Sequence, residues 1–325
     1  MKDRLRRIGF ILRVVLPLIL CTRKRPVLFV RPGALGDIIC TFPAALQLKK
    51  RHPKAAFIYS CHPDFACLPP MGGVTTHVIT AHIARGSIWS FLFSAIYRFE
   101  YGDEKTNTAS SKTIIEECCR QYGVVVADAH PRLQIAPEIL SRVKSLLASH
   151  GIHKGPVILI HLGPSWPVRE WPHESWISLV RKLQEHGLPN IIQLGIGWHA
   201  QLGTVRGAAV PDVLSLVNQL TLEETIALIS LSDLLVGIDS GLLHIAASVR
   251  TPAVGIFGAT SPQFRFSPKS SCSFVVSRVE CQGCHHRIPR LHWMTGCPND
   301  IKCMKTIQVD EVLRACLSRL NPAKI

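Results

Sequence analysis

Leu234-Leu-Val-Gly-Ile-Asp-Ser-Gly-Leu-Leu-His244 is the stretch on which the fold turns. Residues 234–238 form an apolar run too short for an independent helix and read as a buried strand. Asp239, Ser240 and Gly241 make a tight turn, and helical periodicity follows over residues 241–248. Another apolar run, residues 253–257, then reads as the next strand. Near-continuous apolar strands alternating with helices indicate a parallel sheet covered on both faces.

The pattern extends outward in both directions. Strands are expected at 157–161 and 190–194, helices at 173–185, 222–232 and about 309–320. Upstream, strands are expected at 26–30, 55–60, 77–80 and 124–127, with helices at 37–50, 88–99, 113–122 and 137–149. His153-Lys-Gly-Pro156 reads as a linker between the two series. The expectation is an α/β protein of two doubly wound, Rossmann-like domains facing a cleft, spanning 26–152 and 153–325. In such sheets ligands sit beyond the carboxyl ends of the strands.

Residues 1–25 stand apart. Lys2, Arg4, Arg6, Arg7, Arg13, Arg23, Lys24 and Arg25 oppose the single acid Asp3, in a chain whose formal charge is +15. Between them lies an apolar run, residues 8–21, interrupted by Arg13 and Pro17 and shorter than the ~20 residues of a membrane span. The segment reads as a basic amphipathic helix on an anionic membrane surface, removable without unfolding the rest. The alternatives are a mobile extension or a helix packed on the body of the protein. No interleaving of basic and aromatic residues suggests a nucleic-acid partner. Scattered cysteines in a chain of 325 residues fit a reducing, cytoplasmic setting better than a disulfide scaffold.

Three segments carry chemistry, each leaving a strand and opening a helix. Arg31-Pro-Gly-Ala-Leu-Gly-Asp37 places Gly33 and Gly36 in a loop that can meet an anion, but lacks the dinucleotide fingerprint. Asp37 there is either a helix cap or a functional carboxylate. His161-Leu-Gly-Pro-Ser-Trp-Pro-Val-Arg-Glu-Trp-Pro172 offers Ser165, Trp166 and Arg169, whose planar fork suits phosphate oxygens, while Trp171 reads as packing. In the opening stretch, Ser240, Gly241 and Leu242 begin a helix whose amides suit a diphosphate, with Asp239 and His244 alongside.

Taken in order, Gly36-Asp37, Arg169-Glu-Trp-Pro172, Asp239-Ser-Gly-Leu-Leu-His244 and Thr251-Pro-Ala-Val-Gly-Ile-Phe-Gly-Ala-Thr260 resemble the ADP-heptose:lipopolysaccharide heptosyltransferases, a glycosyltransferase family. The resemblance covers about residues 26–315. It implies a GT-B fold, with acceptor on the first domain and nucleotide sugar on the second. It implies that Asp37 is the general base, that Arg169 stands where the family often has a lysine on the donor phosphates, and that Asp239 and His244 belong to the donor site. No residue in 195–199 matches the acid that reads the ribose.

The implied reaction is inverting, metal-independent transfer of heptose or a related sugar from a nucleotide sugar, ADP-heptose first, to a lipopolysaccharide core or similar lipid-linked or cell-surface glycan. It would occur in the cytoplasm, at the inner face of the cell membrane. An epimerase or other GT-B-like enzyme on soluble sugars, and a catalytically silent binding module, are the competing readings. No catalytic cofactor is expected. Cys281, Cys284, Cys297 and Cys303, with His285, His286 and His292 nearby, are read either as a structural zinc site or as free or redox-active thiols.

Overall fold

A computed structural model describes residues 8–80, 88–101, 112–163, 166–195, 198–199, 203–204, 209–267, 270–286 and 297–320. They form two compact units, the first ending at Gln134 and the second beginning at Ile135. This division falls earlier than the junction expected at 152/153. Helix Pro137–Ser149 packs against helix Leu222–Leu231 and so belongs to the second unit.

The first unit holds a parallel sheet of β1 (Val27–Val30), β2 (Phe57–Ser60), β3 (His77–Ile79) and β4 (Ala95–Arg98), in the order β3-β2-β1-β4. Strand β4 occupies part of the segment expected to be helical. Residues 88–99 instead divide into a short 3-10 turn, Ile88–Leu92, and the strand. Apolar period alone does not separate these outcomes, and pairing with β1 decides for the strand. The strand expected at 124–127 is irregular, and Val125 is 90% exposed. The helix expected over 37–50 is two helices, Leu35–Cys40 and Phe42–Arg51, parted at Thr41 just ahead of Pro43.

Successive residues of β1 face opposite sides of the sheet. Phe29 stacks on Tyr59 at 5.2 Å, while Leu28 and Val30 join the cluster that buries Ile11 and Val15. The N-terminal segment is thus a packed layer. A π turn, Ile11–Val15, leads into helix Leu16–Thr22, and Leu16 N–H donates to the Ile11 carbonyl. Pro17 has no N–H for the carbonyl four residues back, and the widened turn before it absorbs that mismatch. The expected dispensable anchor is corrected for this face: Ile11 and Val15 belong to the core. Leu12 and Leu20, at 59% and 77% exposure, remain outside. Among the described residues no helix is long and apolar enough to cross a membrane.

The second unit holds β5 (Ile158–His161), β6 (Ile191–Gln193), β9 (Leu214–Ser215), β10 (Leu234–Ile238), β11 (Ala253–Phe257) and β12 (Cys272–Val276), all parallel. A small antiparallel ribbon, β7 (Trp198–His199) with β8 (Gly203–Thr204), lies outside this sheet. The order is β12-β11-β10-β5-β6-β9, so the chain winds one way from β5 and the other way from β10. That is the order of doubly wound dinucleotide-binding sheets, and the reversal between β5 and β10 opens a crevice at their carboxyl ends.

Ile11→Ala is expected to cost about 3 kcal/mol through the cavity left against Leu28 and Val30. Leu12→Ala should change stability by no more than about 0.5 kcal/mol. Denaturant unfolding of both variants checks the assignment of the two helix faces.

Candidate functional site

In the second unit the charged side chains collect at the reversal point. Asp239 follows β10 directly and is only 4% exposed. Its Oδ2 accepts the Thr260 hydroxyl at 2.7 Å and lies 3.4 Å from Arg169 Nε. Arg169 comes from the 3-10 turn Pro167–Arg169 after β5, and Thr260 follows β11. The carboxylate therefore ties together three loops at the carboxyl ends of β5, β10 and β11. Burial raises the Asp239 pKa, but Arg169, Arg265, the Thr260 hydroxyl and His244 outweigh it and bring the group down to about 2.

Arg169 is held on two sides. Its guanidinium carbon lies 4.1 Å from the Trp166 ring centroid, a cation–π contact, and its Nη1 reaches the Asp239 carbonyl at 3.5 Å. The side chain keeps 15% exposure, enough to present one edge of the fork. His244 is 8% exposed and lies flat on Phe266 at 4.4 Å. Asp239 and His244, both expected to meet a ligand, are thus largely enclosed and organise the site from behind. Ser165 lies outside the described residues.

The helix Gly241–Val249 starts at the same point. Ser240 is its N-cap, yet no side chain caps the first turn, and the buried Ser240 Oγ has no hydrogen-bond partner. Gly241 and Leu242 are partly exposed. Uncapped amides at a partly exposed helix start, beside a guanidinium, form a place for an anion. At the end of β5, His161 is buried with its Nδ1 3.3 Å from the Leu194 carbonyl. Burial lowers its pKa to about 4, against the opposing effect of that carbonyl, so the ring is neutral at physiological pH. A Cβ on Gly195 would sit 3.0 Å from the Gly163 carbonyl oxygen, and at φ +148° a side chain there would be strained.

In the first unit, Asp37 lies in the first turn of helix Leu35–Cys40, beyond β1. It is not the cap; Ala34 takes the N-cap position. Arg31 Nη2 donates to Asp37 Oδ2 at 2.9 Å, and Arg31 itself is 2% exposed, with its guanidinium 5.3 Å from the Phe99 ring centroid. A Cβ on Gly33 would meet that guanidinium at 2.7 Å, so glycine is what lets Arg31 fold back onto Asp37. Gly36 is buried beneath the turn. The Asp37 side chain keeps 24% exposure.

Sequence reading left Arg31 and His161 without roles and missed Thr260 and Arg265. Thr260 and Arg265 follow β11, and the rule that loops leaving parallel strands carry function could have found them. Trp171 is buried as expected, donating Nε1–H to the Ile307 carbonyl at 3.2 Å.

The four cysteines gather beside Gly258 and Ala259. Cys284 Sγ lies 3.9 Å from the Ala259 carbonyl, and Cys303 Sγ would be 2.8 Å from a Cβ on Gly258. Burial pushes the Cys303 thiol up to about 11, and Cys284, Cys281 and Cys297 add to the rise. Among the described residues no three His, Cys, Asp or Glu side chains stand as a group that could hold a metal ion. His292 lies outside them.

A sheet with the strand order of dinucleotide-binding folds thus carries a guanidinium and an uncapped helix start at its reversal point, an arrangement whose chemistry suits an anion. Residues 107–293 match the model of glycosyltransferase family 9 (heptosyltransferase), and the chain belongs to that family. It is 30% identical over 119 residues to lipooligosaccharide heptosyltransferase 2 of Haemophilus influenzae, covering 35% of this chain and 34% of that protein. The alignments with the first curated relatives thus span about a third of their length. Among solved structures, the iron-containing dodecameric glycosyltransferase TibC of enterotoxigenic E. coli has a TM-score of 0.71 at 21% identity, covering 91% of this chain and 76% of TibC. A complex of TibC with ADP-D-beta-D-heptose gives 0.69 at 20% identity, with the same coverage.

Asp239→Asn should destabilise the second unit by about 3 kcal/mol, because the buried Arg265 and the largely enclosed Arg169 lose their counter-charge. The folded-state pKa, about 2, lies below the unfolded value of about 4, so Asp239 stabilises the fold above pH 4. That contribution should fade as pH falls from about 4 to about 2. Unfolding of the parent and variant across this range checks it, since their difference should shrink on acidification.

Proposed function

We propose that the protein is an inverting glycosyltransferase with a GT-B arrangement, transferring heptose from ADP-heptose to a lipopolysaccharide core or similar glycan. The observation that carries the reading is the Arg169–Asp239 pair beside the uncapped start of helix Gly241–Val249. A nucleoside diphosphate leaving group needs fixed positive charge where its own negative charge develops. The exposed edge of Arg169 and the amides of Gly241 and Leu242 supply it, while Asp239 fixes the guanidinium in advance and Ser240 Oγ offers one further hydrogen bond. This charge does the work for which a bound cation would otherwise be needed, hence metal-independent transfer. TibC was solved with ADP-D-beta-D-heptose, which makes that donor the first choice.

The first unit binds the acceptor in this proposal. Asp37 takes the proton from the attacking hydroxyl, using the oxygen not held by Arg31, and the anomeric carbon inverts as the diphosphate departs. Arg31 fixes the carboxylate in place. Asp37→Asn should lower kcat by at least about 100-fold with donor affinity nearly unchanged. Arg169→Ala should weaken ADP binding by about 10-fold or more. Transfer assays and calorimetry with ADP separate the two effects, and a thermal-shift screen of ADP-, GDP- and UDP-linked sugars identifies the donor. Unchanged turnover in Asp37→Asn would remove the proposed base.

Two further elements belong to the proposal. The protein works in the cytoplasm at the anionic inner face of the membrane, through the basic N-terminal segment and the exposed Leu12, Leu20 and Phe91. The thiols of Cys281, Cys284, Cys297 and Cys303 are a donor set for zinc or iron, which would draw them closer together, and TibC is described as iron-containing. Metal analysis of the purified protein should find about one such ion per chain, lost in Cys303→Ser.

A further inference from the structure

A second basic feature lies at the opposite end of the first sheet from Asp37. A depression of about 350 Å³ opens at the amino ends of β1, β2 and β4, lined by Lys24, Arg25, His52, Lys54 and Ser94 among others, none of them acidic. The lining segments are pinned to one another by backbone bonds: Val27 N–H to the Ala56 carbonyl at 2.8 Å, Ser94 N–H to the Pro26 carbonyl at 2.9 Å, and Ala55 N–H to the His52 carbonyl at 3.0 Å. His52 is braced by the Tyr97 hydroxyl at 2.7 Å. Lys24, Arg25 and Lys54 have no carboxylate partner among the described residues, although the fold supplies surface ion pairs elsewhere.

Exposed apolar side chains stand close along the chain to the lining residues: helix Leu16–Thr22 ends two residues before Lys24, and Phe91 comes three residues before Ser94. Leu20 is 77% exposed, and Phe91 is 64% exposed. Phe91 is fixed beside the depression by Arg25, whose Nη1 donates to its carbonyl at 3.0 Å. Cations in a recess with exposed apolar side chains at its edge match a lipid–water boundary, where phosphates lie just outside acyl chains. A soluble phosphate would gain nothing from Leu20 and Phe91.

We propose that this recess is a headgroup site for the phosphate of an anionic lipid, with Leu20 and Phe91 seated among the acyl chains. The proposal rests on the membrane reading above and gives it a specific place. Strands of four residues at about 3.3 Å each separate the recess from the Arg31–Asp37 end of the sheet by roughly 13 Å. The lipid held here is therefore an anchor and leaves the Asp37 end free for the acceptor.

The test is sedimentation of the full chain with phosphatidylcholine vesicles, with and without phosphatidylglycerol. The variants are Lys24→Gln with Lys54→Gln, and as a charge-matched control Lys144→Gln with Arg181→Gln, two exposed sites in the second unit. The recess pair should weaken binding to the phosphatidylglycerol vesicles by about 30-fold, the control pair by less than about threefold. Equal losses in both would mean that overall charge, not the recess, binds the membrane, and would overturn the site. Retained vesicle binding by the recess pair, with loss of a thermal shift given by inorganic phosphate, would assign a soluble ligand and overturn the lipid. Failure of the unaltered chain to bind any vesicle would sink the membrane reading itself.

Discussion

The pairing of β10 with β5 is the constraint on which the second unit's site depends. Because the chain winds outward in opposite directions from these neighbours, the loops leaving their carboxyl ends diverge and leave room for a ligand. A buried carboxylate at such a point is costly unless it is paired and hydrogen-bonded. Asp239 meets that requirement with Arg169, Arg265 and Thr260, each from a loop following β5 or β11. The same arrangement that makes the carboxylate tolerable also fixes a guanidinium beside an uncapped helix start.

The first unit repeats the logic in shorter form. Its sheet also reverses, between β1 and β4, and Arg31 leaves β1 to reach the Phe99 carbonyl, just past β4, at 3.5 Å. Here the guanidinium is the buried partner and the carboxylate is the exposed one, the inverse of the Arg169–Asp239 pair. A partly exposed carboxylate can accept a proton from a ligand, whereas an enclosed one positions its partner. The N-terminal helix completes this unit by covering the face formed by Leu28, Val30, Ile58 and Ile79. Its inner side serves the fold, and its outer side leaves Leu12, Arg13 and Leu20 exposed.

Much of this was readable in the residues. Helix His173–Glu185 and strand Ala253–Phe257 fall where period and apolar runs place them, since both are fixed by local pattern and regular burial. The turns bearing Asp37, Arg169 and Asp239 were legible as charged loops following strands, because each comes directly after a short apolar run. Strand β4 was not, because the choice between helix and strand at Ala95–Arg98 is made by pairing with a distant segment. The N-terminal run was legible as amphipathic, but not which side would be buried. Arg265 lies 26 positions beyond Asp239, and only the β11 crossover brings the two together.

The central claim is that the beginning of helix Gly241–Val249 receives the donor's diphosphate, with Arg169 prearranged by Asp239. Hydrogen–deuterium exchange of the full chain, with and without ADP, reads those amides directly. The account predicts slowed exchange at Gly241 and Leu242 on adding ADP, with less protection in Arg169→Ala at the same sub-saturating ADP concentration. Unaltered exchange at these positions, with ADP bound and protection appearing in another part of the chain, would contradict it.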